Sequence, residues 1–158
     1  LKGARRMTKL LAEVMRQVHD FYAPLAEDRG QRFELDLQPM PATRGDPQLL
    51  FEALANLVGN AIKFTPAGGM VTLRGANDDD GGYIEVGDSG PGIPEDEREA
   101  VLLRFYRGDG SRSTPGSGLG LSIVSAIARL HGYGLEVGGD GHGARIRMRF
   151  GSKMASVG

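Results

Sequence analysis

Apolar and polar positions change period several times along the 158-residue chain, and each change marks an element. Leu10, Leu11, Val14, Val18, Phe21 and Leu25 recur at helical spacing and predict an amphipathic helix over 7–28, with Gly30 as its stop. Phe33, Leu35 and Leu37 alternate with Arg32, Glu34 and Asp36, the period-two pattern of a half-buried strand. Pro39-Met40-Pro41 reads as a turn. Asp46-Pro47 opens a second helix, with Asp as cap and Pro at the first helical position, and Thr65-Pro66-Ala67-Gly68-Gly69 ends it. Residues 71–74 and 83–87 read as strands joined by a hairpin-type turn over 77–82. A glycine-rich stretch fills much of 88–118, with a short helix predicted near 95–105. Ile123, Ile127 and Leu130 share one side of a helix over 119–131, and strands near 134–138 and 144–150 follow. Helices combined with mostly hairpin-linked strands, without an internal repeat, predict an α+β, two-layer domain.

The second helix carries an anomaly. Glu52, Asn56, Asn60 and Lys63 stand at i, i+4, i+8 and i+11, a single polar stripe at 3.6 residues per turn. Leu50, Leu54, Leu57, Val58, Ala61 and Ile62 supply the core face opposite. Asn is a mediocre helix former, and a buried amide without a partner costs free energy. Two of them beside a Lys suggest a ligand: oxygens for a hard cation and an ammonium for phosphate. Glu52 is read as a bystander at the exposed end of the stripe.

Composition narrows the functional classes. A net charge of −1 provides no global field to recruit nucleic acid or anionic membrane. The absence of Cys excludes disulfides, thiolate zinc sites and Cys nucleophiles. No apolar run approaches the ~20 residues of a membrane span, and no signal peptide is visible. The chain begins at Leu1, so an excised piece of a longer protein is expected. Gly makes up 25 of 158 residues, about twice the usual ~7%, and clusters late.

Two further motifs bear on chemistry. Ile84, Val86 and Asp88 share parity, so Asp88 ends its strand on the inward face, where a carboxylate needs donors. A purine amino group would serve, and Gly90 and Gly92 would let backbone approach a flat ring; alone, the Asp-Gly segment reads more readily as a turn. Gly116-Ser117-Gly118-Leu119-Gly120-Leu121 opens a helix, a setting in which backbone N–H groups cradle phosphates. A glycine-rich turn by itself is weak evidence, and no P-loop is present.

Taken in order, these segments carry a family likeness. Asn56-Leu57-Val58-Gly59-Asn60-Ala61-Ile62-Lys63-Phe64-Thr65-Pro66 resembles the N box of bacterial sensor histidine kinases. Asp88-Ser89-Gly90-Pro91-Gly92-Ile93-Pro94 resembles their G1 box, Leu103-Arg104-Phe105-Tyr106-Arg107 the F box, and Gly116 to Val124 the G2 box. The resemblance implies the ATP-binding catalytic (HATPase, GHKL) domain over 10–150, preceded at 1–9 by the end of an upstream helical hairpin or linker and followed at 151–158 by a disordered tail. It implies the Bergerat fold shared with gyrase, Hsp90 and MutL, a two-layer α/β sandwich whose mixed, mostly antiparallel sheet packs on three helices. By resemblance, Asn60 ligates Mg²⁺, Lys63 approaches the phosphates of ATP, and Asn56 lies near metal or phosphates. Phe64 borders the adenine side, Asp88 accepts from the adenine amino group, and Gly92 lies beneath the ring. Gly118, Leu119, Gly120 and Leu121 line the phosphates. Arg107, with Arg112, reaches the γ-phosphate from a lid over 107–117. Gly90, Ile93, Phe105, Tyr106, Gly116 and Ser117 complete the nucleotide contacts, and Asn60, Lys63 and Arg107 are the catalytic set.

The implied activity is phosphotransfer from ATP to a histidine on an upstream dimerisation domain, with a response regulator receiver domain as the next partner. The parent is expected to be a homodimer and the fragment a monomer. The implied location is cytoplasmic, including the cytoplasmic part of an inner-membrane sensor. The ATPase branches of this fold place a Glu four residues before the metal-binding Asn; here that position is Asn56, and an amide cannot act as a general base near neutral pH. A non-catalytic nucleotide-binding signalling module and a GHKL ATPase or anti-sigma serine kinase are the alternatives. His19-Asp20 imitates a phosphoacceptor but lies within the first predicted helix, and is read as a surface or partly packed histidine. His131 closes a helix, where the end of the helix favours imidazolium. Arg145, Arg147 and Arg149 alternate with Ile146, Met148 and Phe150 as an ordinary exposed strand face without nucleic acid. Two departures stand out: Gly132-Tyr133 where the family often has Gly-Gly, and Ala144 where a hydroxyl often helps position the adenine-binding Asp.

Overall fold

The polar-striped helix lies between two other helices and rests on a five-stranded sheet. A computed structural model describes residues 5–7, 9–89, 117–139 and 143–150. In chain order the elements are β1 (Arg5–Met7), α1 (Lys9–Asp28), β2 (Arg32–Leu37), β3 (Thr43–Gly45), α2 (Pro47–Phe64), β4 (Met70–Asp78), β5 (Gly81–Asp88), α3 (Ser117–His131), β6 (Gly134–Gly139) and β7 (Ala144–Phe150). The large sheet has the order β2-β4-β5-β7-β6. Only its β2–β4 pairing is parallel, so the sheet is mixed and mostly antiparallel, as the resemblance implies. α2 packs on α1 and α3 and against β4 and β5.

Local chemistry explains the element ends. Asp46 caps α2, its carboxylate accepting from the Gln48 and Leu49 N–H groups at 2.9 and 3.3 Å, ahead of Pro47. α1 and α3 both close on a glycine with φ 70°, Gly30 and Gly132, in the left-handed region. In each case the following N–H reaches back five residues, Gln31 to Ala26 and Tyr133 to Ala128, at 2.9 Å.

The core joins Leu50, Leu54 and Ile62 of α2 to Leu73, Ile84, Met148 and Phe150 of the sheet and to Leu11, Met15 and Val18 of α1. Three expectations need correction. Leu10, Phe21 and Leu25 do not face the core; they are 40, 68 and 45% exposed, and Met15 and Ala26 take the buried positions. Leu130 is also exposed, at 58%. Met7, placed at the start of the first helix by the spacing rule, lies in β1, which pairs antiparallel with β3. Three-residue strands hold no readable period, so only a long-range partner defines them.

The outer sheet face also differs from expectation. Register sets Arg147 between Glu85 and Glu136, and Arg149 between Tyr83 and Gly134. Arg147 bonds Glu85 at 2.6 and 3.1 Å. Arg149 grips Asp78 through two bonds of 2.8 and 3.1 Å and Glu136 through one of 2.8 Å. Both guanidinium groups cover the Tyr83 ring, with the Arg147 Cζ 3.9 Å from its centroid. The Arg149 side chain is only 10% exposed, so this is a packed ionic layer rather than a solvated face; of the three arginines, only Arg145 is exposed. The hydrogen bond from Arg149, foremost, holds the Asp78 carboxyl below its ordinary range. Bonds to Asp78 and Glu136 hold Arg149 protonated far above neutral pH. A cleft of about 150 Å³ lined by Glu85, Glu136, Val137, Gly138, Arg145 and Arg147 lies on this face, away from the striped helix.

Candidate functional site

The stripe stands as the spacing predicts. Glu52 is exposed, Asn56 and Asn60 are half-buried, and Lys63 and Phe64 are exposed at the C-terminal end of α2. The Asn56 amide nitrogen donates to the Glu52 carbonyl at 2.8 Å, so the helix itself holds its NH₂ and the amide oxygen points away from that bond. Among the described residues no group bonds the Asn60 side chain, an open amide in the middle of the stripe. The Lys63 ammonium lies 5.4 Å from the Phe64 ring centroid, and Phe64 is 49% exposed.

Two residues that the pattern did not single out, Gln31 and Arg29, join Thr65 in fixing this helix end. Buried Gln31 donates to the carbonyls of Ile62 and Thr65 at 2.8 and 2.6 Å, and Arg29 donates to the Lys63 carbonyl at 3.1 Å. Thr65 returns its hydroxyl to the Ala61 carbonyl at 2.7 Å. The carbonyls of Ala61, Ile62, Lys63 and Thr65 therefore have partners, which anchors the backbone beneath Lys63 and Phe64. A buried Gln directly after a helix-ending Gly is the one signal that could have revealed it.

Asp88 is brought to the same end. It pairs in register with Val71 at the start of β4. Ser89 then closes on Met70 in both directions, N–H to carbonyl at 3.0 Å and hydroxyl from N–H at 2.8 Å, next to the Thr65–Gly69 turn that leaves α2. Asp88 is part-buried, and its Oδ1 accepts from the Ala144 N–H at 3.3 Å. The missing hydroxyl at Ala144 is thus answered by a backbone donor. Gly143 permits this approach: a Cβ there would collide with the Asp88 carbonyl.

Ser117, Gly118, Leu119, Gly120 and Leu121 form the first turns of α3, so their backbone lies at a helix N-terminus as expected. Gly90, Gly92, Ile93, Phe105, Tyr106, Arg107, Arg112 and Gly116 lie outside the described residues, as do the helix near 95–105, the lid over 107–117 and the tail over 151–158.

The histidines resolve differently. His19 Nε2 bonds the Phe33 carbonyl at 3.0 Å, and since a carbonyl only accepts, that nitrogen carries the hydrogen. The ring stacks at 4.5 Å on Phe33, a packed histidine as read. His131 corrects the imidazolium expectation. Its Nε2 accepts from the Asp46 N–H at 3.0 Å while Nδ1 donates to the Ile127 carbonyl at 2.8 Å, an arrangement that requires the neutral ring.

Residues 45–153 match the profile described as histidine kinase-, DNA gyrase B- and HSP90-like ATPase. The chain belongs to that family. Within it, the relatives are sensor kinases, and the chain is an ATP-binding catalytic domain of their type. It is 46% identical over 110 residues to the signal transduction histidine-protein kinase/phosphatase MprB of Mycolicibacterium smegmatis, spanning 66% of this chain and 22% of that protein. It is 35% identical over 136 residues to the adaptive-response sensory kinase SasA of a Nostoc species, spanning 85% of this chain and 33% of that protein. The chain therefore spans no more than about a third of the length of these relatives. Among solved structures, full-length ShkA in complex with AMPPNP superposes with a TM-score of 0.75 at 31% identity, over 94% of this chain and 32% of that one. The mycobacterial sensor histidine kinase MprB superposes with a TM-score of 0.65 at 32% identity, over 92% of this chain and 93% of that one. No helix among the described residues is long and apolar enough to cross a membrane.

Proposed function

We propose that this domain holds Mg-ATP and donates the γ-phosphoryl group to a histidine on a separate dimerisation domain, the first step of a two-component relay. Asn56 carries the reading. One turn before the open Asn60 amide, where a hydrolase of this fold needs a carboxylate to activate water, the chain presents an amide already bonded to its own helix. ATP is then kept for a stronger nucleophile. In the transfer an imidazole nitrogen forms the bond to the γ-phosphorus as the bond to the ADP oxygen breaks. The domain's part is alignment and charge neutralisation.

Lys63 and Arg107 supply positive charge to the phosphates, the N-terminal turns of α3 supply backbone N–H groups, and Asp88 accepts from the adenine amino group. The donor set fits magnesium. A hard cation here would take oxygens from the Asn60 amide, the phosphates and water. Such an ion would neutralise the phosphate charge and keep the chain in line. The named relatives support a parent that dimerises and passes its phosphoryl group to a receiver domain, with this domain on the cytoplasmic side.

Calorimetry with ATP and Mg²⁺ tests the binding: wild type should bind and Asn60→Ala should lose Mg-dependent affinity at least tenfold, roughly the loss of one charge-assisted ligand. With labelled ATP the domain alone should neither label His19 nor hydrolyse steadily, and an added dimerisation hairpin should become labelled. Label on His19, or sustained release of phosphate, would overturn the reading.

A further inference from the structure

We propose that Tyr133 and His131 are positioning residues that bolt the entry strand of the domain to the corner where α2 begins and α3 ends. The observation is local: two residues hydrogen-bond three of four consecutive ones, Thr43, Arg44 and Asp46. The Tyr133 hydroxyl donates to the Arg44 carbonyl at 2.5 Å. Its single hydrogen is thereby used, so the Thr43 hydroxyl, 3.2 Å away, donates to the phenol oxygen. His131 Nε2 takes the Asp46 N–H. Gly45 lies between them, where a Cβ would stand 2.7 Å from Leu50, 3.1 Å from the Tyr133 hydroxyl and 3.3 Å from the His131 ring. The two rings sit 5.1 Å apart, and Tyr133 rests on Phe150 at 5.5 Å, so the bolt is backed by the core.

The held segment is β3, whose partner is β1: Arg5, Arg6 and Met7 pair with Gly45, Arg44 and Thr43. Whatever precedes β1 therefore enters the domain along a strand fixed by Tyr133. The next residue, Asp46, caps the helix that bears Asn56, Asn60 and Lys63. His131 ends the helix whose first turns include Gly118 and Gly120. One corner thus sets the entry direction relative to both helices of the nucleotide site. If the nucleophile arrives on a preceding domain, as proposed above, this corner governs its approach. The inference rests on the functional reading only for that last consequence.

Amide hydrogen exchange on the whole chain tests it. Tyr133→Phe keeps the ring and removes the hydroxyl. Exchange at 43–46 and 5–7 should rise roughly tenfold, the scale of one lost buried hydrogen bond, while amides of β4, β5 and β7 stay within twofold. ATP affinity should also stay within twofold, since no nucleotide residue is touched. His131→Gln, whose side chain can still offer an acceptor to the Asp46 N–H, should restore more protection than His131→Ala. Unchanged exchange at 43–46, or a rise spread through β4, β5 and β7, would overturn the bolt. Absence of ATP binding in wild type would sink the functional reading and leave the exchange result standing.

Discussion

The backbone N–H of Ala144 donates to the Oδ1 of Asp88 at 3.3 Å, tying the first residue of β7 to the last residue of β5. Each carboxylate oxygen can accept more than one hydrogen bond, so Asp88 can hold Ala144 and also take the adenine amino group proposed above. Asp88→Asn replaces one acceptor oxygen with an NH₂ donor and removes the charge. ATP affinity should fall roughly 10- to 100-fold, in keeping with a lost hydrogen bond to a charged acceptor, with little change in melting temperature. Gly143→Ala acts on the same contact from below. Its Cβ would strike the Asp88 carbonyl, so it should lose both affinity and about 1–3 kcal/mol of stability. Calorimetry and thermal melts separate the two variants. Equal affinities for Asp88→Asn and wild type would remove Asp88 from the adenine site.

On the reading proposed above, Asn56 separates transfer from hydrolysis, and the swap is simple to make. Asn56→Glu places a general base one turn before Asn60 on the same face. Steady phosphate release by the isolated domain should rise at least tenfold, a conservative fraction of the roughly 10²–10⁴-fold that a well-positioned base contributes. A double variant with Asn60→Ala should lose that gain. No gain in hydrolysis would mean that the identity of this residue does not separate the two chemistries here.

The sequence carried the polar stripe, the Asp88 strand end and the glycine-rich helix start because each is a short-range pattern read against a fixed period. What escaped it was long-range. Gln31 reads as a residue after a helix stop, and only the return of α2 brings the carbonyls of Ile62 and Thr65 to its amide. Tyr133 reads as a departure from a glycine pair, and only the fold shows it engaging Thr43 and Arg44, about ninety positions away. The first helix failed in a subtler way. Leu10, Phe21 and Leu25 satisfy helical spacing beside the true core face, and a periodicity rule cannot rank two adjacent apolar stripes.

The ionic layer over Tyr83 yields a prediction for the opposite face. Arg149→Leu removes the grip on Asp78 and Glu136 and one of the two guanidinium groups over Tyr83, leaving Arg147. The melting temperature should fall by about 3–6 °C, from lost cation–π and charge-assisted bonds, while ATP affinity stays unchanged. The pH dependence has a definite sign. Asp78 titrates lower in the folded chain than its reference of 3.8, chiefly through Arg149. Its contribution is present above that value and is lost as pH falls through the depressed one. The stability gap between wild type and Arg149→Leu should therefore narrow as pH drops below 3.8. Chemical denaturation at pH 7 and pH 3 checks this, and a constant gap would show that the pair is not titrating.

Tyr133 gives the mirror case at high pH. Burial, the larger influence, pushes its phenol above the reference value of 10.0, and the hydrogen bond from Thr43 opposes only part of that. The fold therefore favours the neutral phenol. Its contribution is complete below pH 10, where the unfolded chain is also neutral, and is lost as pH rises through the folded value, because only the unfolded chain then ionises. As pH rises above 10, wild type should lose stability through this group. Tyr133→Phe cannot ionise there and should show a shallower alkaline slope. Tyr22, also raised by burial, is present in both proteins and cancels in the comparison. At pH 8 the variant should be less stable by about 1 kcal/mol, the net worth of its hydroxyl bonds, so the two stability curves should approach each other between pH 10 and pH 11. Parallel curves over that interval would show that the Tyr133 hydroxyl is ionising equally in folded and unfolded chains, which its position against Arg44 and Thr43 does not allow.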